Sequence, residues 1–183
     1  KCNGVAFTPR QGKPVEINAL WYNALRLMKE DVLADRVLDS YSRTFWISPF
    51  RGLCDVVHDG QRDLSVRPNQ IFAVSLPHSP LAATAQHAVV AVCGRELFTS
   101  YGLRSLSSAH PDYRTQYRGG VLERDSGYHQ GPVWAWLLAH YALAEARVGG
   151  DAAAAQARLD PLRDHLMDAG LGTVSEIFDG APP

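Results

Sequence analysis

Apolar residues recur at helical spacing through most of the chain. Ile17, Leu20, Trp21, Ala24, Leu25 and Met28 predict a first helix, with Pro14 suited to its first turn, where a missing N–H costs nothing. Leu33, Val37, Leu38, Tyr41 and Phe45 continue the period, and the break between the two helices falls near residues 30–34. Before Pro14 the chain reads as a loop punctuated by Gly4, Pro9 and Gly12. Residues 46–68 carry Pro49, Gly52, Asp59-Gly60 and Pro68 and read as mostly irregular. A short apolar helix follows over 69–76, closed by Pro77, and then an Ala- and Val-rich helix over 81–98.

Residues 100–130 read as a long loop with room for a helical turn near 111–114. Loops of that length inside a compact domain are usually functional or disordered, and the Tyr, Arg, His and Asp content of this one favours function. Gly131-Pro132 is read as the start of another helix. Val133, Trp134, Trp136, Leu137, Leu138, Tyr141 and Leu143 leave it apolar nearly all round, which predicts burial. Gly149-Gly150 should end it. Asp151 caps an Ala-rich helix, and Asp160-Pro161 opens a last one that Gly170 terminates. Residues 171–179 are short and apolar around one acid, Glu176. No segment alternates strongly with period two, so the pattern predicts an all-α architecture of packed hairpins, with no repeat that would make a solenoid.

Composition narrows the function classes. At 46% hydrophobic and 20% charged the 183-residue chain is ordinary for a globular domain, and a net charge of −1 gives no electrostatic case for nucleic acid or an anionic membrane. No apolar run approaches the roughly 20 residues that span a bilayer. Cys2, Cys54 and Cys93 are odd in number and widely spaced, which fits free thiols and a cytoplasmic setting better than a disulfide framework. Neither CxxC nor HExxH occurs, so no metal site is expected.

Candidate chemistry gathers at four loop-to-helix junctions: 8–21, 67–70, 125–134 and 175–179. Each sets charged or amide groups beside aromatics where a helix begins. Helix N-termini gathered at one end would form a cup suited to sugar. Taken singly, most of these residues have a structural explanation. Arg67 could neutralise Asp55 or Asp63, Glu16 suits the helix dipole, His129 could be a hydrogen-bonded structural histidine, and Trp21 and Trp134 could be core. Glu176 differs. Between Val174, Ile177 and Phe178 a carboxylate would be costly to bury without a partner, and capping does not account for it.

The strings TPRQGKPVEINALWYNAL (8–25), RPNQIFAVSLP (67–77), GYHQGPVWAWLL (127–138) and GLGTVSEIFDG (170–180) occur in this order and together resemble the glycogen-debranching amylo-α-1,6-glucosidase family. The likeness covers nearly the whole chain. It implies an (α/α)6 barrel of which residues 1–183, a single partial domain, supply roughly the C-terminal half. It implies an inverting glucosidase that removes α-1,6-linked glucose stubs from glycogen or a limit dextrin and needs no cofactor. By similarity Glu176 corresponds to the general base. Arg10, Lys13, Glu16, Asn18, Trp21, Arg67, Asn69, Gln70, His129 and Gln130 are candidates to line the glucose pocket. The family's acid is an Asp in a Thr-Trp-Met-Asp string upstream of the stretch that begins here at Lys1, so the chain is expected to be a fragment lacking the acid and the first half of its barrel. Apolar faces such as that of Trp134, Leu137 and Tyr141 are then expected to lack partners. Residues 28–45 are shorter than a full hairpin would need, and Cys54 stands where Tyr is expected. The alternatives are a non-catalytic glucan-binding module, another inverting α/α-barrel α-glucosidase, and a helical scaffold.

Overall fold

A computed structural model of the chain describes residues 4, 6–168 and 171–180. Cys2 and the helix stop expected at Gly170 lie outside the described residues. The first two helices are α1 (Val15–Leu27) and α2 (Asp31–Phe45). They form an antiparallel hairpin through a turn in which Lys29 takes φ 61° and Glu30 N donates to Leu25 O at 2.9 Å. Tyr41, 2% exposed near the end of α2, donates its hydroxyl to Val15 O at 3.2 Å and so fixes the hairpin's open end. Further along the chain come α3 (Phe72–Ser75), preceded by a 3-10 turn over Pro68–Ile71, then α4 (Ala83–Glu96), α5 (Val121–Gly127), α6 (Leu137–Gly149), α7 (Ala152–Ala157) and α8 (Asp160–His165). Asp151 caps α7 by accepting from Ala154 N at 2.9 Å, and Gly150 ends α6 in the left-handed region at φ 72°, as a C-terminal glycine should.

The all-α expectation is overturned. Nine short strands occur among the described residues: β1 (Lys13–Pro14), β2 (Trp46–Ser48), β3 (Gly52–Leu53), β4 (Val56–His58), β5 (Gln61–Arg62), β6 (Phe98–Thr99), β7 (Gly102–Arg104), β8 (Val133–Trp134) and β9 (Ile177–Phe178). They make three antiparallel sheets, ordered β1-β4-β5, β2-β3 and β6-β7-β8-β9. The fold is mixed α/β and not an (α/α)6 half-barrel. Strands of two or three residues are too short to show a period of two, so hydrophobic patterning could not reveal them.

The same pairing corrects the helix expected to start at Pro132. Val133 pairs with both Arg104 and Phe178, and Trp134 with both Leu103 and Ile177. Ladder bonds on both sides hold this segment extended, and α6 begins only at Leu137. Nor is that helix buried all round: Trp136 just before it is 54% exposed and Leu143 51%. Leu137 and Tyr141, expected to lack partners, are 3% and 5% exposed in the chain's own core with Val89, Cys93 and Leu97. Cys54 and Cys93 are free, buried thiols, which burial pushes up to about 11 and about 12.

One buried amide couples this core to the site. Gln70, 2% exposed in the 3-10 turn, accepts from Leu53 N at 3.0 Å and donates to Arg67 O at 3.2 Å. Gly52 takes φ +69°, and a Cβ there would lie 2.2 Å from Gln70 Oε1. Glycine at this position is therefore what lets β3 approach the clamp.

Candidate functional site

A cavity of about 370 Å³ opens where three of the four junctions meet. Its wall is formed by Thr8, Arg10, Arg67, Pro68, Asn69, Ser105, His129, Trp134, Trp136 and Leu137. Behind the wall sits Asp55, whose side chain is 1% exposed. It accepts from Arg10 Nε at 2.6 Å, Arg10 Nη2 at 3.0 Å and Asn69 Nδ2 at 3.1 Å, with Arg67 Nε 4.0 Å away. Arg10 also reaches Glu16 with both terminal nitrogens, at 2.6 and 2.7 Å. Two guanidiniums thus face two carboxylates, and the cluster carries no net charge. Burial pushes the Asp55 carboxyl above its ordinary value, against the opposing pull of Arg10, Asn69 and Arg67.

Arg67 ties the second junction to the third. It donates to Ser105 O at 3.1 Å, His129 O at 2.7 Å and Gln130 Oε1 at 2.7 Å. The chain can turn back here because Gly131 takes φ +149°, where a Cβ would meet Arg114 O at 1.9 Å. The His129 ring stacks on Trp134 with centroids 5.1 Å apart, and Tyr128 meets the same indole edge-on at 4.8 Å. Trp134 Nε1 is buried with no hydrogen-bond partner among the described residues.

The fourth junction adjoins this wall. A groove of about 340 Å³ is lined by Ala135, Trp136, Ala139, Leu162, Val174, Ser175 and Glu176. Trp136 is common to groove and cavity. The Glu176 segment is held on both sides of the acid. Ser175 is hydrogen-bonded to the buried His165 at 3.0 Å, and Phe178 stacks on Tyr101 at 4.6 Å. Beyond it Gly180 O accepts from Arg104 Nε at 2.7 Å and the Tyr113 hydroxyl at 2.6 Å. Glu176 itself is exposed, contrary to the apolar burial expected from its neighbours. The Tyr128 phenol is its neighbour: burial, together with this carboxylate, raises the phenol's pKa.

The structure sorts the residues singled out in the sequence into three groups. Arg10, Arg67, Asn69 and His129 lie on the cavity wall. Glu16, Gln70 and Gln130 lie behind it and hold the arginines or their backbone. Lys13, Asn18 and Trp21 do not line it. Lys13 is exposed in β1, Asn18 donates to Pro14 O at 2.8 Å, and Trp21 is 48% exposed on α1. Sequence reasoning missed Asp55, Ser105, Tyr128 and Trp136 as parts of the site and weighed Trp134 as core. The signal for Asp55 was a charge inside the apolar run from Leu53 to Val57. Trp136 was hidden by the reading of its segment as a wholly buried helix.

Two histidines are expected to make the fold sensitive to acid, His140 more than the solvent-exposed His129. Burial, with Arg67 and Arg10 nearby, lowers the pKa of His129 from 6.5, and burial lowers that of His140, which is hydrogen-bonded to Ser75 at 3.0 Å. Unfolded histidine takes up a proton first as the pH falls, so this contribution is constant above 6.5 and is lost below it. The melting temperature is expected to fall as the pH drops from about 6.5 to about 5.5, still above the carboxylate range. Replacing His129 and His140 together by Gln should flatten that profile. A profile equally steep in the double variant would assign the effect elsewhere.

These features belong to a recognisable class of protein. The chain is a member of the amylo-alpha-1,6-glucosidase family, whose model matches residues 1–183. It is similar to the glycogen debranching enzyme of Saccharomyces cerevisiae (strain ATCC 204508 / S288c), with 24% identity over 188 residues, covering 75% of this chain and 12% of the yeast protein. The chain therefore spans a small part of that relative's length.

Proposed function

We propose that this chain carries the sugar-binding wall and the general base of an inverting glycoside hydrolase that removes α-1,6-linked glucose from branched α-glucans such as glycogen or a limit dextrin. The observation that supports it most is the meeting of three junctions on one cavity, with Glu176 on the adjoining groove, in a chain of this family. Arginines already neutralised by Asp55 and Glu16 suit a neutral polyhydroxylated ligand better than an anion. Stacked aromatics beside them suit a sugar face.

In this reading Glu176 takes a proton from water as the water oxygen bonds to the anomeric carbon. The bond from that carbon to the leaving oxygen breaks, and a second carboxyl group protonates the leaving oxygen from the opposite face. Asp55 and Glu16, the carboxylates beside the cavity, are tied to Arg10, and neither is free for that role. The acid is proposed to come from another part of the polypeptide. A cytoplasmic setting belongs to the same proposal, supported by the buried free thiols of Cys54 and Cys93.

The test is hydrolysis by the full-length polypeptide that carries this sequence, followed by NMR of the first product. Glucose released as the β-anomer from a branched limit dextrin, and none from a linear maltodextrin, is the expected result. Initial release of the α-anomer would rule out inversion. Glucan affinity without any release would make this a binding module instead.

A further inference from the structure

We propose that Trp136 is the stacking platform on which the sugar ring sits between the Arg67–Asn69 wall and Glu176. This rests on the glucan reading of the site and names a residue that determines affinity within it. Trp136 is shared by the polar cavity and by the Glu176 groove, so it adjoins the path of a ligand that spans the two. The residue is 54% exposed, although the core lies directly beneath it. Burying an aromatic of this size is strongly favourable, and leaving half of it in water forgoes much of that gain. Local backbone chemistry does not explain the choice either. Trp136 occupies the cap position of α6, where Ser, Thr, Asp or Asn would serve better, and it makes no cap hydrogen bond.

The indole is braced as well as exposed. Phe72, 9% exposed in the core, lies 5.9 Å from it, and His140 meets it edge-on at 6.0 Å. Phe72 and His140 are themselves in contact at 4.4 Å. The platform is thus set before any ligand arrives, and little side-chain freedom is left to lose on binding. A pyranose presents an apolar C–H face to such a ring while its hydroxyls stay at the rim. Asn69 and Arg67 line the cavity, Glu176 lines the groove, and Trp136 lines both.

The test compares Trp136→Ala, Trp136→Leu and Trp136→Phe in the full-length polypeptide, using panose, an α-1,6-glucosyl maltose, as the probe. Leucine keeps bulk against Phe72 but offers no aromatic face, so it covers the case in which the alanine variant does not fold. Calorimetric affinity for panose is expected to fall about tenfold or more in the Ala and Leu variants and to be largely retained with Phe. KM should rise with kcat changed much less, and the melting temperature of the Leu variant should stay near that of the parent. A Leu variant that binds panose as the parent does would overturn the platform while leaving the glucan reading intact. A parent polypeptide that binds neither panose nor a limit dextrin would overturn both.

Discussion

Replacing Glu176 by Gln in the full-length polypeptide is expected to lower release of α-1,6-linked glucose by at least about a hundredfold, the lower end of what general base catalysis supplies. The amide has the size of the carboxylate and keeps an acceptor oxygen facing the Tyr128 phenol's side of the groove. It cannot take a proton from water. Affinity for a branched dextrin should change little, because Arg10, Arg67, Asn69 and His129 are untouched. Stability should also be nearly unchanged. Glu176 is exposed, and exposed substitutions away from special features usually stay within about 0.5 kcal/mol. Turnover lost with stability intact is the signature of a chemical role. If Glu176 merely anchored its segment through Tyr128, the melting temperature would drop and turnover would fall only with the folded fraction. Near-normal turnover would remove Glu176 from the mechanism.

The second large effect is on stability. Asp55→Ala leaves Arg10 with Glu16 as its one carboxylate and with the backbone carbonyl of residue 55 at 3.4 Å, and it strips Asn69 Nδ2 and Arg67 of their carboxylate partner in a largely buried setting. Removing one member of a buried ionic cluster typically costs about 3–5 kcal/mol, because the remaining charge keeps its desolvation penalty. For a chain of this size that is a fall in melting temperature of roughly 6–20 °C. Glu16→Ala should cost clearly less, since the Asp55 contacts of Arg10 survive it and Glu16 is nearer solvent. Urea unfolding of the two variants side by side measures the difference. Equal, small losses would mean that the Coulombic gain of Asp55 only offsets its burial, the opposition already visible in its raised pKa.

Much of the helical framework was legible in the chain. The periods of Ile17 to Met28 and Leu33 to Phe45 located α1 and α2, and the Ala- and Val-rich run located α4. Asp151 and Gly150 marked helix ends because capping is a local property of one or two residues. The motif strings carried the family, and they placed Arg10, Arg67, Asn69 and His129 among the candidates that the fold brings to one cavity.

Helix periods, caps, the near-zero net charge and the order of the motifs are properties of single residues or short stretches, and they are readable along the chain. The remaining features depend on contacts between distant elements. The extended path of Val133 and Trp134 depends on β7 and β9, which lie some 30 and 40 residues away along the chain, and ladder bonds from both outweigh a local pattern that reads as helix. Whether Trp136 is core or surface was settled by where Phe72 and His140 end in space. Asp55 became the hub of the site because folding brings Arg10, 45 residues before it, and Asn69, 14 residues after it, to the same carboxylate. Lys13, Asn18 and Trp21 share a motif with Thr8 and Arg10, yet of these five only Thr8 and Arg10 line the cavity. Neighbours in sequence lie on different faces of a strand or helix, and which face meets the cavity is decided by packing against distant elements.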